Sequence, residues 1–555
     1  MESREDLKSI SPHLPLVVRS SSLSWPSQAV VEALKAMARG PSYSGVNSGE
    51  VLFLAISDLR RHSFCLSPEP LAPSARRGYA FFFDELLSKA ESTKWYGEIL
   101  PALANLLLRF PSLLETHYQQ HADSGLINGV ETGLRLLRSQ EPGIVFLSQE
   151  LIGALLGCSL FCLFPISNRD FKDLPMINFD DLFACLYNGY HRRQEHKIRC
   201  IIHYFERICS NMPVGFVSFE RKVLPLEHLP LCILYPKDRF WCDSVIPLCQ
   251  FEVKNSGLIE DQSSEALEVD FANKYIGGGA LNRGCVQEEI RFMINPELIA
   301  GMLFLPSMAD NEAIEIVGAE RFSSYTGYAS SFRFSGDYVD KRVVDRYGRH
   351  KTRIIAIDAL CSPGKRQYRQ ECLLREINKA FCGFFYQSNY QQYERLFQEN
   401  VRAGAEVDQN VQDPMDLLET TSTSGGTYGG ISLNQVIRNS EKDCQNPGHE
   451  GNVGIVTGNW GCGAFGGDPE LKTIIQWLAA SQALRPFISY HTFGLEALQY
   501  LDQVTRWILS HEWTVGELWK MLVEYSHQRY EGLTDVGFFT WLLPSLPGQN
   551  AEMSE

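Results

Sequence analysis

The spacing of apolar residues changes near Val214, and that change limits what this chain can fold into. Upstream, "SQAVVEALKAMARG" and "YAFFFDELLSKAESTKWYGEILPALANLLLRF" repeat apolar residues every three or four positions, the helical period. Ser27 suits the N-cap of the first segment and Gly40 its end. The apolar stretch from Ile144 to Phe164 reads as further helix, and Leu151–Phe164 within it is too short to span a bilayer, so a buried helix is expected. Downstream, "VGFVSFERKV", "ALEVDFANKYI", "EAIEIVGAERF", "SFRFSGDYV", "TRIIAIDAL", "VGIVTGNWG" and "PFISYHTFG" are short, rich in Val, Ile and Phe, and bounded by glycine or polar residues, as strands are. Helical patterns separate several of them, notably "INKAFCGFFYQSNYQQYERLFQENV" and "DPELKTIIQWLAASQAL". The latter has Asp468 as N-cap and Pro469 at the first helical position. Strands alternating with helices predict an α/β protein, a three-layer core with a mixed sheet preceded by an N-terminal α-helical accessory region. The expected bounds are 1–200 for the helical region and 201–546 for the α/β domain. Within the latter, 403–452 reads as a mobile insertion poor in apolar residues, and 547–555 reads as a disordered tail.

A formal net charge of -15 argues against broad binding to nucleic acid or to an anionic membrane. Any polyanionic ligand must be held by local features. The N-terminus carries charges where a signal peptide needs an apolar run. Fifteen cysteines are scattered without a CxxC pair or a tight Cys/His cluster, which predicts reduced thiols and no metal site.

Two glycine-rich stretches stand out. In "FANKYIGGGALNRGCVQEEIRF", Gly277, Gly278 and Gly279 follow a strand-like segment, where backbone N–H groups without Cβ neighbours reach an anion closely. Glu288 and Glu289 follow. Adjacent acids usually sit in solvent at a helix start, but in a dry cleft close carboxylates split their pKa values, and one keeps a proton for glycoside cleavage. In "VGIVTGNWGCGAFGGD", Gly461 to Gly466 form a GxGxxG between a strand and a helix. The acid that a dinucleotide fold places at the end of the next strand is missing, since that strand reads "PFISYHTFG". The loop therefore reads as a phosphate binder at a helix N-terminus. Tyr325 and Tyr328 flank Thr326-Gly327, an arrangement suited to a mobile loop over a flat ring. Phe332 and Phe334 read as core, and the basic run Lys341–Arg353 as a solvated hairpin.

The glycine run with "VQEE", the tyrosine pair and "TGNWGCGAFGGD" together resemble the poly(ADP-ribose) glycohydrolases, and the likeness extends in order from about residue 170 to 510. The resemblance implies a macrodomain-like core and hydrolysis of the ribose–ribose O-glycosidic bonds of poly(ADP-ribose), with no cofactor and no metal. It implies Glu289 as the acid/base, Glu288 on ribose hydroxyls, and Asp270 and Asn273 ordering the catalytic loop and the ribose. Ile259 and Glu260 match positions at the adenine edge, and Tyr328 and Phe493 positions on its face. Asn459, Gly463, Ala464 and Phe465 would embrace the diphosphate. Gly277–Gly279, Gln287 and Tyr325 complete the expected substrate site. The implied partners are the polymer and proteins that carry it, with no direct nucleic-acid or membrane partner, in the nucleus and cytoplasm. The rival reading, a macrodomain that binds ADP-ribose without cutting it, needs no paired glutamates.

Overall fold

A computed structural model describes residues 3–64, 69–120, 122, 129–167, 169, 174–227, 229, 232–262, 265–386 and 453–544. The insertion expected at 403–452 and the tail at 547–555 lie outside them.

Eight strands form one mixed sheet: β1 (Gly143–Ser148), β2 (Phe216–Val223), β3 (Gln250–Lys254), β4 (Ala266–Ala272), β5 (Glu312–Val317), β6 (Arg353–Asp358), β7 (Gly454–Gly458) and β8 (Phe487–His491). Their spatial order is β1-β2-β5-β6-β4-β7-β8-β3. The block β6-β4-β7-β8-β3 is parallel, and β1, β2 and β5 join it antiparallel at the β6 side. Alternation along β6 shows the three layers. Ile354 and Ala356 pack into one apolar core with the N-terminal helices, whereas Ile355 and Ile357 pack into a second core with the C-terminal helices.

Local sequence explains the helices that frame the sheet. In α1 (Gln28–Ala38) the Ser27 side chain accepts from the Val30 N–H, and Gly40 beyond its end has φ +96°. Asp468 caps α5 (Pro469–Gln482), accepting from the N–H groups of Glu470 and Leu471. The long upstream pattern breaks at Ser88, which forms a capping box with Glu91 and starts the helical run Lys89–Gln120. By length and composition that run is apolar enough to cross a membrane, and half of its most apolar window is buried inside the protein.

Three expectations need correction. Ile144–Phe164 is not all helix: Gly143–Ser148 pairs with β2 as an outer strand, and Ser148 then caps α2 (Gln149–Leu160). A continuous apolar run carries no period that separates a buried strand from a buried helix. "SFRFSGDYV" is a strand, but Arg333–Asp337 pairs only with Ser323–Thr326 in a two-stranded hairpin apart from the main sheet. The basic run does turn as a hairpin, bridging Val344 to His350, yet its arginines are fasteners. Arg349 binds Asp345, Arg353 binds Glu265, and Arg342 reaches Glu268 at 2.8 Å.

Candidate active site

The carboxyl ends of β4, β6, β7 and β8 converge on one cavity of about 520 Å³, where open α/β sheets place their ligands. β4 leads through Asn273 into the glycine run, and the run leads into α4 (Gln287–Ile294), which follows α3 (Arg192–Ser210) in the chain.

The paired glutamates are buried at the start of α4. The Glu288 carboxylate accepts from the N–H groups of Asn273 (2.9 Å) and Gly277 (2.7 Å). The Glu289 carboxylate accepts from Gly279 (2.9 Å) and from Val286 (2.7 Å), whose N–H stands at the helix N-terminus and has no intrahelical acceptor. The Gly278 N–H goes to the Tyr275 carbonyl. The anion that this loop cradles therefore belongs to the protein itself, which replaces the expectation that its amides face a ligand phosphate. Gly278, at φ +47°, is required by contact as well as by conformation. A Cβ there would stand 2.5 Å from Glu288 Oε2 and 2.8 Å from Glu289 Oε1. Gly278→Ala is expected to displace both carboxylates and lower kcat on the order of 100-fold with the fold intact, checked by turnover kinetics beside a thermal melt.

A third acid lies close by. Asp270 is buried on β4, and its carboxylate oxygens have no hydrogen-bond partner among the described residues. Burial pushes Asp270 up to about 7, against the pull of Arg291 and with a further push from Glu289. Burial also drives Glu288 well above the usual carboxylate range, helped by the charges of Asp270 and Glu289. Asp270 and Glu288 therefore resist ionising together at neutral pH, and between them they hold a proton. Gln287 is spent on alignment: its Oε1 accepts from the Phe271 N–H at 2.8 Å and its Nε2 donates to the Val269 carbonyl at 3.1 Å, fixing the head of α4 to β4.

Ile259, Glu260, Gln287, Tyr325, Tyr328, Asn459, Gly463, Ala464, Phe465 and Phe493 all line the cavity. The Tyr325 hydroxyl donates to Glu260 at 2.5 Å, and Arg342 holds the Glu260 carbonyl at 2.8 Å, so this wall is fastened from two sides. Tyr328 and Phe493 are exposed at the mouth. Phe493 stacks on His491, with ring centroids 5.8 Å apart. In the second glycine loop, Asn459 is held by the Thr492 carbonyl and the Tyr490 hydroxyl. The N–H groups of Gly463, Ala464 and Phe465 have no partner among the described residues. Beneath this loop, buried Lys472 pairs with Glu376 and sits 4.1 Å from the centre of the Trp460 ring.

Arg291, which sequence reasoning passed over, also lines the cavity; it is buried and paired with Glu268 at 2.6 Å. Its signal was present, since it follows Glu288 by three residues and so shares that face of the helix. Among the described residues no three His, Cys, Asp or Glu side chains gather as a metal-ligand set.

A mixed sheet between helical layers, a nucleotide-sized cavity over the ends of its parallel strands, and two amide-pinned glutamates beside it define a macrodomain-fold hydrolase. Residues 238–500 match the profile described as poly(ADP-ribose) glycohydrolase, macro domain fold, and residues 87–221 match the helical domain of the same family. The chain is 60% identical over 562 residues to poly(ADP-ribose) glycohydrolase 1 of Arabidopsis thaliana, covering 99% of each chain. It is 53% identical over 546 residues to probable poly(ADP-ribose) glycohydrolase 2 of the same plant, covering 98% of this chain and 100% of that one. Poly(ADP-ribose) glycohydrolase 1 of Caenorhabditis elegans is 32% identical over 337 residues, 59% of this chain and 35% of the relative. The chain belongs to the poly(ADP-ribose) glycohydrolase family.

Proposed function

We propose that this chain hydrolyses the ribose–ribose O-glycosidic bonds of poly(ADP-ribose), with Glu289 as the proton donor to the departing ribose oxygen and then the base that activates water. The observation that carries the assignment is the geometry of the pair. Each carboxylate is fixed by two backbone amides at one helix start, next to a cavity with a polar loop at one side and aromatic residues at its mouth.

The bond breaks through an oxocarbenium-like state in which positive charge develops on the ribose and negative charge on the leaving oxygen. A proton delivered to that oxygen removes the second problem, and the neighbouring carboxylates ease the first. Glu288 orients ribose hydroxyls while holding Asn273 and Gly277, and Asp270 keeps the cluster short of one ionisation. The free amides of Gly463, Ala464 and Phe465 meet the diphosphate at the second loop. Dipoles then take the place of exposed cations, which reconciles a chain of net charge -15 with a polyanion. Tyr328 and Phe493 cover the adenine, and Ile259 and Glu260 meet its edge.

Purified protein incubated with labelled poly(ADP-ribose) is expected to release free ADP-ribose. Tight binding without release would instead make it a reader of the polymer, and no binding at all would sink both readings.

A further inference from the structure

Lys197 lies on α3, in the part of the chain that matches the family's helical domain, yet its side chain ends in the catalytic loop. It is completely buried. Its ammonium donates to the carbonyls of Gly279 (3.3 Å), Asn282 (2.7 Å) and Gly284 (2.6 Å). One turn earlier on the same face, Gln194 donates to the Asn282 carbonyl at 3.1 Å and to the Leu182 carbonyl at 2.9 Å. Two donors from one helix face thus converge on the turn that separates the glycine run from α4.

That turn is what shapes the site around Glu289. Gly279 is held on both sides: its carbonyl accepts from Lys197 while its N–H, in the preceding peptide, donates to Glu289. Gly284 packs so closely that a Cβ there would stand 2.7 Å from the Glu289 carboxyl carbon. Burying an ammonium is costly, and the usual compensation is a paired carboxylate. Among the described residues no carboxylate forms an ion pair with Lys197, which is satisfied by carbonyl dipoles alone. A neutral donor would tie the loop down at lower cost.

We infer that Lys197 is a positioning residue of the reaction, its ammonium locking the Gly279–Gly284 turn so that the Gly279 N–H stays aimed at Glu289, which makes the helical region part of the active site. The inference rests on Glu289 being the acid/base.

A pH dependence follows. The groups that face Lys197 are Cys285 and Glu289 from the catalytic segment, Cys185 from the helix Asp180–Tyr187, and Arg193 and Cys200 from α3 itself. Burial is the largest influence and lowers Lys197 to about 8. The ammonium is present below that pH and lost above it, so turnover should fall as pH rises through about 8.

The test compares wild type, K197M and Q194A for kcat and KM on labelled polymer between neutral and alkaline pH, with ADP-ribose binding followed by calorimetry. K197M, similar in length and neutral, is expected to lower kcat at neutral pH on the order of 100-fold through misplacement of the acid, leave ADP-ribose binding nearly unchanged and lose the part of the alkaline fall centred near 8, keeping the part that the Asp270 and Glu288 cluster sets as it gives up its proton. Q194A should lower kcat about tenfold and keep that fall, because the charge remains. Wild-type turnover in K197M, or the same alkaline fall in it, overturns the inference. Should K197M not fold, Q194A and the wild-type profile decide: unchanged turnover in Q194A, or a wild-type rate flat through pH 8, overturns it equally. An active E289Q would remove the reading on which the inference rests, whereas a silent E289Q beside a fully active K197M would remove the inference alone.

Discussion

Glu289→Gln is expected to lower kcat for polymer hydrolysis by a thousandfold or more, about 4 kcal/mol of barrier, while ADP-ribose still binds. The substitution keeps the shape of the side chain and takes away its titrating proton. It also has one local cost. The carboxylate accepts from two amides, Gly279 and Val286, and a carboxamide offers one oxygen and one NH2 to the same two donors. One donor–acceptor contact therefore becomes a donor–donor contact, so part of the loss reflects orientation. Glu288→Gln separates the two contributions, because Glu288 is pinned by two amides in the same way. If proton transfer dominates, E289Q falls well below E288Q. Equal and modest losses in the two would show that only the packing of the pair matters, and would move the acid elsewhere.

The readable parts of this chain were those whose information is local. All seven short Val/Ile/Phe segments after Val214 are strands, and the caps at Ser27 and Asp468 form as their spacing predicts. The second glycine stretch lines the cavity and the first runs into the helix that carries the adjacent glutamates, because glycine near a helix start has a short-range physical meaning. What stayed hidden depends on contacts distant in sequence. Nothing in "RRQEHKIRC" tells that Lys197 ends on carbonyls more than 80 residues away, for its neighbours give it the texture of a solvated helix face. The glycine run has the sequence of an anion cradle, and it is one. Which anion it holds was settled by the fold of the following helix back onto the loop, bringing Glu288 and Glu289 to the amides of Gly277 and Gly279. The arginines of the basic run likewise have the local pattern of a solvated hairpin, because their partners, such as Glu265 and Glu268, lie on or beside another strand.

The same logic of distant partners gives the largest expected loss of stability, at Arg221. Arg221 on β2 and Glu312 on β5 form an ion pair from which both side chains are wholly excluded from water. The guanidinium also donates to the carbonyls of Leu137 (2.9 Å) and Pro306 (2.5 Å). The carboxylate accepts from Ser139 Oγ (2.9 Å), Gln140 Nε2 (3.0 Å) and the Ala309 N–H (2.9 Å). Together these bonds fasten the segment leading into β1 to the edge of the sheet. Arg221→Met fills much of the same volume but leaves a buried carboxylate without its cation and two carbonyls without a donor, which should cost about 3–5 kcal/mol of unfolding free energy. Denaturant titration of the purified protein checks this as a lowered midpoint at unchanged slope. Adding Glu312→Gln to the same protein removes the stranded charge while keeping an acceptor for Gln140 and Ala309, so R221M/E312Q should recover a large part of the loss. A single variant within 1 kcal/mol of wild type, well below the cost of breaking a buried pair, would mean that water or a rearranged neighbour solvates Glu312 and that β1 is held by its backbone pairing with β2 alone. A double variant no more stable than R221M would assign the loss to the orphaned carbonyls of Leu137 and Pro306 instead of the charge.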